Sequence, residues 1–140
     1  MVERSINTDT SLPVRVYYED TDSGGVVYYA NYLKFLERGR TEFLRALGFE
    51  QQKLLEETGL AFAVRSVAAE YLKPAKLDDL LEVQSRIEDL GRAQVTFAQS
   101  ILRGDEILLT ATVRVACLVL AKGKPAAMPK ELHELFKALI

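Results

Sequence analysis

The chain has one cysteine, Cys117, and one histidine, His133, in 140 residues. A lone cysteine excludes an intrachain disulfide and fits a reducing compartment. One histidine with one distant cysteine argues against a metal site of the Cys/His kind, and makes a Ser–His or Cys–His nucleophile hard to assemble. There is no tryptophan. No run approaches the roughly 18 uninterrupted apolar residues that span a bilayer as a helix. The opening stretch, MVERSINTDTSLP, is polar and mixed in charge, unlike a signal peptide. Neither sign of charge dominates: the net charge is −2, so no general basic field points to nucleic acid or a membrane surface. No G-x-G-x-x-G or Walker-type loop occurs, and Gly24-Gly25 alone does not suggest a phosphate cradle. A soluble, cytoplasmic protein is expected.

What is present is ordinary globular material, 49% apolar and 27% charged. No repeat or linker divides it. Met1 to Leu12 lacks periodicity and reads as a flexible N-terminal arm, with a single domain over 13–140. Pro13 opens a strand expected to reach Asp20. Thr21 to Gly25 is a turn. Asn31 is placed to cap a helix that runs to Leu47, whose stripe is Tyr32, Phe35, Leu36, Gly39, Phe43, Ala46 and Leu47. A glycine inside such a stripe costs about 1 kcal/mol against alanine, so Gly39 predicts close packing on something flat, such as a sheet. A short helix over Glu50 to Thr58 follows. Four strand-like runs come next: Leu60 to Leu72, Leu80 to Leu90, Ala93 to Leu102 and Ile107 to Ala121. The turns Gly91-Arg92, Gly104-Asp105 and Gly123-Lys124-Pro125 predict antiparallel hairpins. Pro129 starts a C-terminal helix. The fold class is α+β, about five antiparallel strands with one long helix packed on them.

The stretch from Val16 to Leu47 organises the rest: a strand end, a Gly-containing turn bearing acids, then the long helix. A carboxylate near a helix start faces open N–H groups and the positive end of the helix dipole, a workable arrangement for acyl cleavage. Taken alone, the D-x-D of Asp20 and Asp22 is also what turn-capping carboxylates look like. In context it is more telling. The stretch VRVYYEDTDSGGVVYYANYLKFLERGRTEFLR, with the spacing E-D-T-D-x-G-G-V-V-Y-x-x-N-Y, resembles the signature of the hotdog-fold acyl-CoA thioesterases. It is most similar to the bacterial tol-pal-associated group, with the 4-hydroxybenzoyl-CoA thioesterases as relatives.

The resemblance implies a hotdog fold, a sheet wrapped around the long central helix, over Pro13 to about Leu139. It implies hydrolysis of acyl-CoA thioesters, with Asp22 matching the catalytic carboxylate, as base or nucleophile. Tyr29 matches the residue whose backbone N–H binds the thioester oxygen. Gly24, Gly25, Val26, Val27, Tyr28 and Asn31 are the expected substrate-binding neighbours. The related group carries His where this chain has Tyr29; a backbone donor survives that change, an imidazole does not. No cofactor is implied, CoA being part of the substrate. Hotdog subunits pair through their sheets, so a homodimer or homotetramer is expected, with acyl-CoA or an acyl-carrier-protein thioester as partner.

Asp20 is read as structural and Cys117 as a small core residue. Lys73, Lys76, Arg65 and Arg92 are candidates for CoA phosphates by their position near strand ends, although each taken singly reads first as part of a solvated rim. Two other readings stand beside hydrolysis: a non-hydrolytic acyl-carrier or partner-binding hotdog module, and an acyl-thioester dehydratase or hydratase. The second needs a histidine that the loop and helix start lack.

Overall fold

A computed structural model describes residues 10–140. The expected arm over 1–9 lies outside the described residues. Thr10 to Leu12 belong to the first strand, β1 (Thr10–Arg15), which begins earlier than Pro13. After Pro13 the chain leaves the sheet sooner than expected. A single 3₁₀ turn (Tyr18–Asp20) replaces the outer half of the anticipated strand. The remaining elements are α1 (Asn31–Ala46), α2 (Gln51–Thr58), β2 (Leu60–Tyr71), β3 (Leu80–Leu90), β4 (Gln94–Arg103), β5 (Glu106–Val119), β6 (Lys124–Pro125) and α3 (Lys130–Ala138).

All strand pairs are antiparallel, in the order β1-β3-β4-β5-β2, with β6 on β5. Pro13 sits on β1, an edge of that order, where a missing N–H removes no ladder bond. On the covered face lie Leu81, Val83, Ser85 and Ile87 of β3, Val95, Phe97 and Ile101 of β4, and Ala111, Val113, Val115 and Cys117 of β5. Glu82, Gln84, Arg86 and Glu88 point to solvent, as strict alternation on β3 requires.

Helix α1 lies over β1, β3 and β4 and buries Tyr32, Phe35, Leu36, Gly39, Phe43 and Leu44. Leu44 takes the place expected of Ala46, which faces out. Gly39 is where helix and sheet come nearest. A Cβ there would stand 2.7 Å from Val83 Cγ1, and 3.1 Å from both Gln99 Nε2 and Ser85 Oγ. Gln99 is buried yet satisfied: its Nε2 donates to the Leu36 carbonyl and to Ser85 Oγ, and its Oε1 accepts from Arg40. Phe43, Phe97 and Phe136 of α3 close the other end of the core, Phe97 edge to face with both of the others and Phe43 tilted on Phe136, with ring centres 5.5 to 6.5 Å apart. The long helix on a curled antiparallel sheet is the hotdog arrangement anticipated above.

Candidate active site at the start of the long helix

The 3₁₀ turn is held by the first acid of the motif. Asp20 is buried, and its carboxylate accepts the Tyr17 N–H at 2.8 Å and Asn31 Nδ2 at 2.7 Å. Its carbonyl takes the Tyr28 N–H at 3.0 Å. Asp20 therefore stitches the strand exit to the helix entry. Asn31 serves this stitch rather than the helix cap. The capping position is Ala30, already in helical conformation, so Asn31 lies within the first turn and its carboxamide turns back to Asp20.

From Thr21 the chain folds back on itself, with Thr21 bridged to Val27 and the Asp22 N–H bonded to the Val26 carbonyl at 2.9 Å. The tip needs a left-handed residue, and Gly25 supplies φ +82°. Asp22 is exposed at this tip. One carboxylate oxygen accepts the Gly24 N–H at 2.8 Å, which fixes the side chain, and among the described residues no donor reaches the other. Both readings of Asp22 therefore meet in one geometry: it caps its own turn and still presents a free oxygen.

Seven residues on, Tyr29 precedes the helix. Its N–H makes no hydrogen bond to the protein among the described residues, while its carbonyl accepts the Tyr71 hydroxyl at 3.2 Å. Its ring is exposed and packs on Tyr28 (centres 4.9 Å apart) and Tyr71 (6.3 Å). Val27, Tyr29, Tyr32, Tyr71, Leu72, Lys73 and Pro74 line a groove of about 280 Å³ beside this backbone. Of the expected binding residues, Val27 is in the groove wall, Tyr28 stands against Tyr29, Gly24 and Gly25 form the tip, and Val26 pairs with Lys76. A second, more enclosed cavity of about 170 Å³ lies farther along α1, between Arg40, Leu44, Phe62, Val115 and Phe136.

Tyr32 and Tyr71 were not among the expected site residues, nor was any of the 72–79 segment apart from Lys73 and Lys76. Tyr32 is almost fully buried, and burial pushes its phenol up, partly offset by the Ala75 N–H that it accepts at 3.0 Å. The only advance signal for Tyr71 was its place before Lys73-Pro74 at the end of a strand. Of the basic candidates, Lys73 lines the groove and also pairs with Glu106 at 2.9 Å. Arg92 is excluded from the groove: it follows the far end of β3, a strand's length away. Burial raises the Cys117 thiol, and no group of three or more His, Cys, Asp or Glu among the described residues is placed to hold a metal ion. Among the described residues no helix is long and apolar enough to cross a membrane.

A sequence-family model of the thioesterase-like superfamily matches residues 16–136. The acyl-CoA thioesterase YbgC of Haemophilus influenzae is 54% identical over 129 residues, covering 92% of this chain and 95% of that protein. The acyl-CoA thioester hydrolase YbgC of Escherichia coli is 49% identical over 126 residues, 89% and 93% of the two chains. The crystal structure of a probable thioesterase from Bartonella henselae superposes with a TM-score of 0.83 at 41% identity, over 86% of this chain and 99% of that one.

Proposed function

The chain belongs to the thioesterase-like superfamily and hydrolyses acyl-CoA thioesters, and from that premise we propose that Asp22 and the Tyr29 N–H are its reacting groups. The observation that carries the assignment is that one loop holds a fixed carboxylate with an unbonded oxygen at its tip and, seven residues on, an unpaired backbone N–H at the start of α1. The thioester carbonyl lies between them, its oxygen toward the Tyr29 N–H. Water attacks the carbonyl carbon as Asp22 takes its proton; alternatively the carboxylate attacks and water then cleaves the acyl-aspartate. In either route the C–S bond breaks and CoA leaves as a thiolate that picks up the proton. Thiolates leave readily, so a site without a nearby imidazole is sufficient. A preorganised N–H of this kind is worth on the order of 3 kcal/mol of barrier.

Asp22→Asn tests the assignment. The expected result is an unchanged melting temperature with kcat lower by a factor on the order of 100 or more, the usual worth of a positioned base. Near-normal turnover of short acyl-CoA esters would overturn it. Label found in Asp22 after a single turnover in ¹⁸O-labelled water would establish attack by the carboxylate, with water cleaving the acyl-aspartate at the Asp22 carbon; trapping of an acyl-aspartate by hydroxylamine covers cleavage at the acyl carbon.

The protein works as a homodimer or a tetramer of dimers, joined along β2. That strand ends the sheet order, and its middle, residues 63–68, is exposed on both faces, with Val64, Val67 and Tyr71 open to solvent. A long apolar edge of this kind invites pairing with a second copy. Tyr71 also lines the Tyr29 groove, so pairing there would complete the pocket. The lone buried thiol suits the cytoplasm, and the reaction as written draws on water and side chains, without a cofactor.

A further inference from the structure

Behind the Tyr29 groove one cationic side chain joins three stretches of chain. Arg103, the last residue of β4, donates from one terminal nitrogen to the Asp79 carboxylate at 2.7 Å and to the Pro74 carbonyl at 3.2 Å. Its Nε and its other terminal nitrogen both donate to Glu106 Oε1, at 3.2 and 2.8 Å. Asp79 Oδ2 also accepts the Lys76 N–H at 2.8 Å. The connection between β2 and β3 is thus gripped at Pro74 and at Asp79.

Between those grips lies Ala75, fully buried. Its carbonyl accepts the Val27 N–H at 2.9 Å, and its N–H donates to the Tyr32 hydroxyl at 3.0 Å. Val26 and Lys76 add an antiparallel bridge beside it. Val27 belongs to the loop that carries Asp22; Tyr32 is in the first turn of α1, just after Tyr29. The carboxylate loop and the helix start are therefore referred to one backbone point, and Arg103 holds the segment on which that point sits.

We infer that Arg103 is a positioning residue of the thioesterase site, setting through Pro74 and Asp79 how far the Asp22 carboxylate stands from the Tyr29 N–H. The inference rests on the assignment of those two groups given above. A guanidinium suits the task because its planar fork reaches a carbonyl and two carboxylates at once, where an ammonium offers a compact point charge. The grip acts on both acids. Partial burial pushes the Asp79 carboxyl up, but the Lys76 N–H and Arg103 outweigh it, leaving it below the usual carboxylate range. Arg103, then Lys73, likewise hold Glu106 down.

The test compares Arg103→Gln and Arg103→Lys in the full-length enzyme, with thermal melts showing that each is folded at the assay temperature. Misplacement of reacting groups by about 1 Å can lower a rate about 100-fold, so Arg103→Gln is expected to lose about 10- to 100-fold in kcat with KM for acyl-CoA unchanged. Arg103→Lys, which keeps a charge for Asp79, should recover part of that loss. Adding Asp79→Asn to Arg103→Gln should do no further harm, because both act through one clamp. A folded Arg103→Gln enzyme with wild-type kcat would overturn the inference. So would a rise in KM with kcat intact, which would mean that Arg103 touches the substrate. Normal turnover by Asp22→Asn would refute the base assignment by itself, whereas normal turnover by Arg103→Gln would refute only the clamp.

Discussion

Asp20 and Asp22 stand two residues apart and do different work. Asp20 is enclosed and spends its oxygens on Tyr17 and Asn31; Asp22 is at a loop tip with one oxygen open. Their substitutions should therefore separate stability from activity. Asp20→Ala leaves a part-buried N–H and a carboxamide without their acceptor, a loss of about 1 kcal/mol of stability readable in a urea melt. Asp22→Asn should leave that melt where it is and remove turnover. Gly39 gives a second residue-scale prediction. Alanine there gains about 1 kcal/mol of helix propensity, but its methyl would meet Val83 at 2.7 Å and crowd Gln99 and Ser85. Overpacking of about 1–3 kcal/mol wins, so Gly39→Ala should lower the urea midpoint. This close approach was legible in the sequence, because a glycine in an apolar helical stripe has few other uses. The division of labour between the two acids rested on the family motif; the D-x-D spacing alone allowed either order.

The elements with strong periodicity were legible almost to their ends. Helix α1 was expected over Asn31 to Leu47 and runs Asn31–Ala46, and β3 matches its expected span. Two features resisted. The outer half of the first strand became a 3₁₀ turn because Val16 pairs with the 72–79 connection, bonding Asp78 and Asp79, and the chain turns inward there. The second is β2, whose sequence alternates only weakly: its middle, residues 63–68, is an edge open on both faces and is under no pressure to alternate. It also carries a bulge between Val64 and Ser66, which no local pattern announced. If this edge joins two copies, Val67→Lys should place a charge in the joint. Light scattering is expected to show the variant at half the wild-type mass, with reduced kcat; an unchanged mass would remove β2 as the joint.

At the scale of the molecule, hairpin neighbours followed from short Gly-containing turns, but the pairings of β1 with β3 and β2 with β5 did not. They join strands far apart in sequence, and only the assembled sheet decides them. The groove at Tyr29 is a product of that assembly, since its walls come from the helix start and from the end of β2. The acid network beneath it has a pH signature. Asp79 is held lower in the folded chain than its unfolded value of about 3.9, so its stabilisation is complete above that pH. It drains away as pH falls through the lower folded value. Asp79→Asn should therefore melt below the wild type at neutral pH, and the two curves should converge in strong acid.

The sealed position of Cys117 has a practical consequence at the bench. A chromogenic disulfide dye added to the folded enzyme should meet no thiol except the CoA released by turnover, giving a continuous assay free of background from the catalyst. Once denaturant opens the sheet, the same dye should register one further equivalent per chain. A single colour change would then report both how fast the enzyme works and when it falls apart.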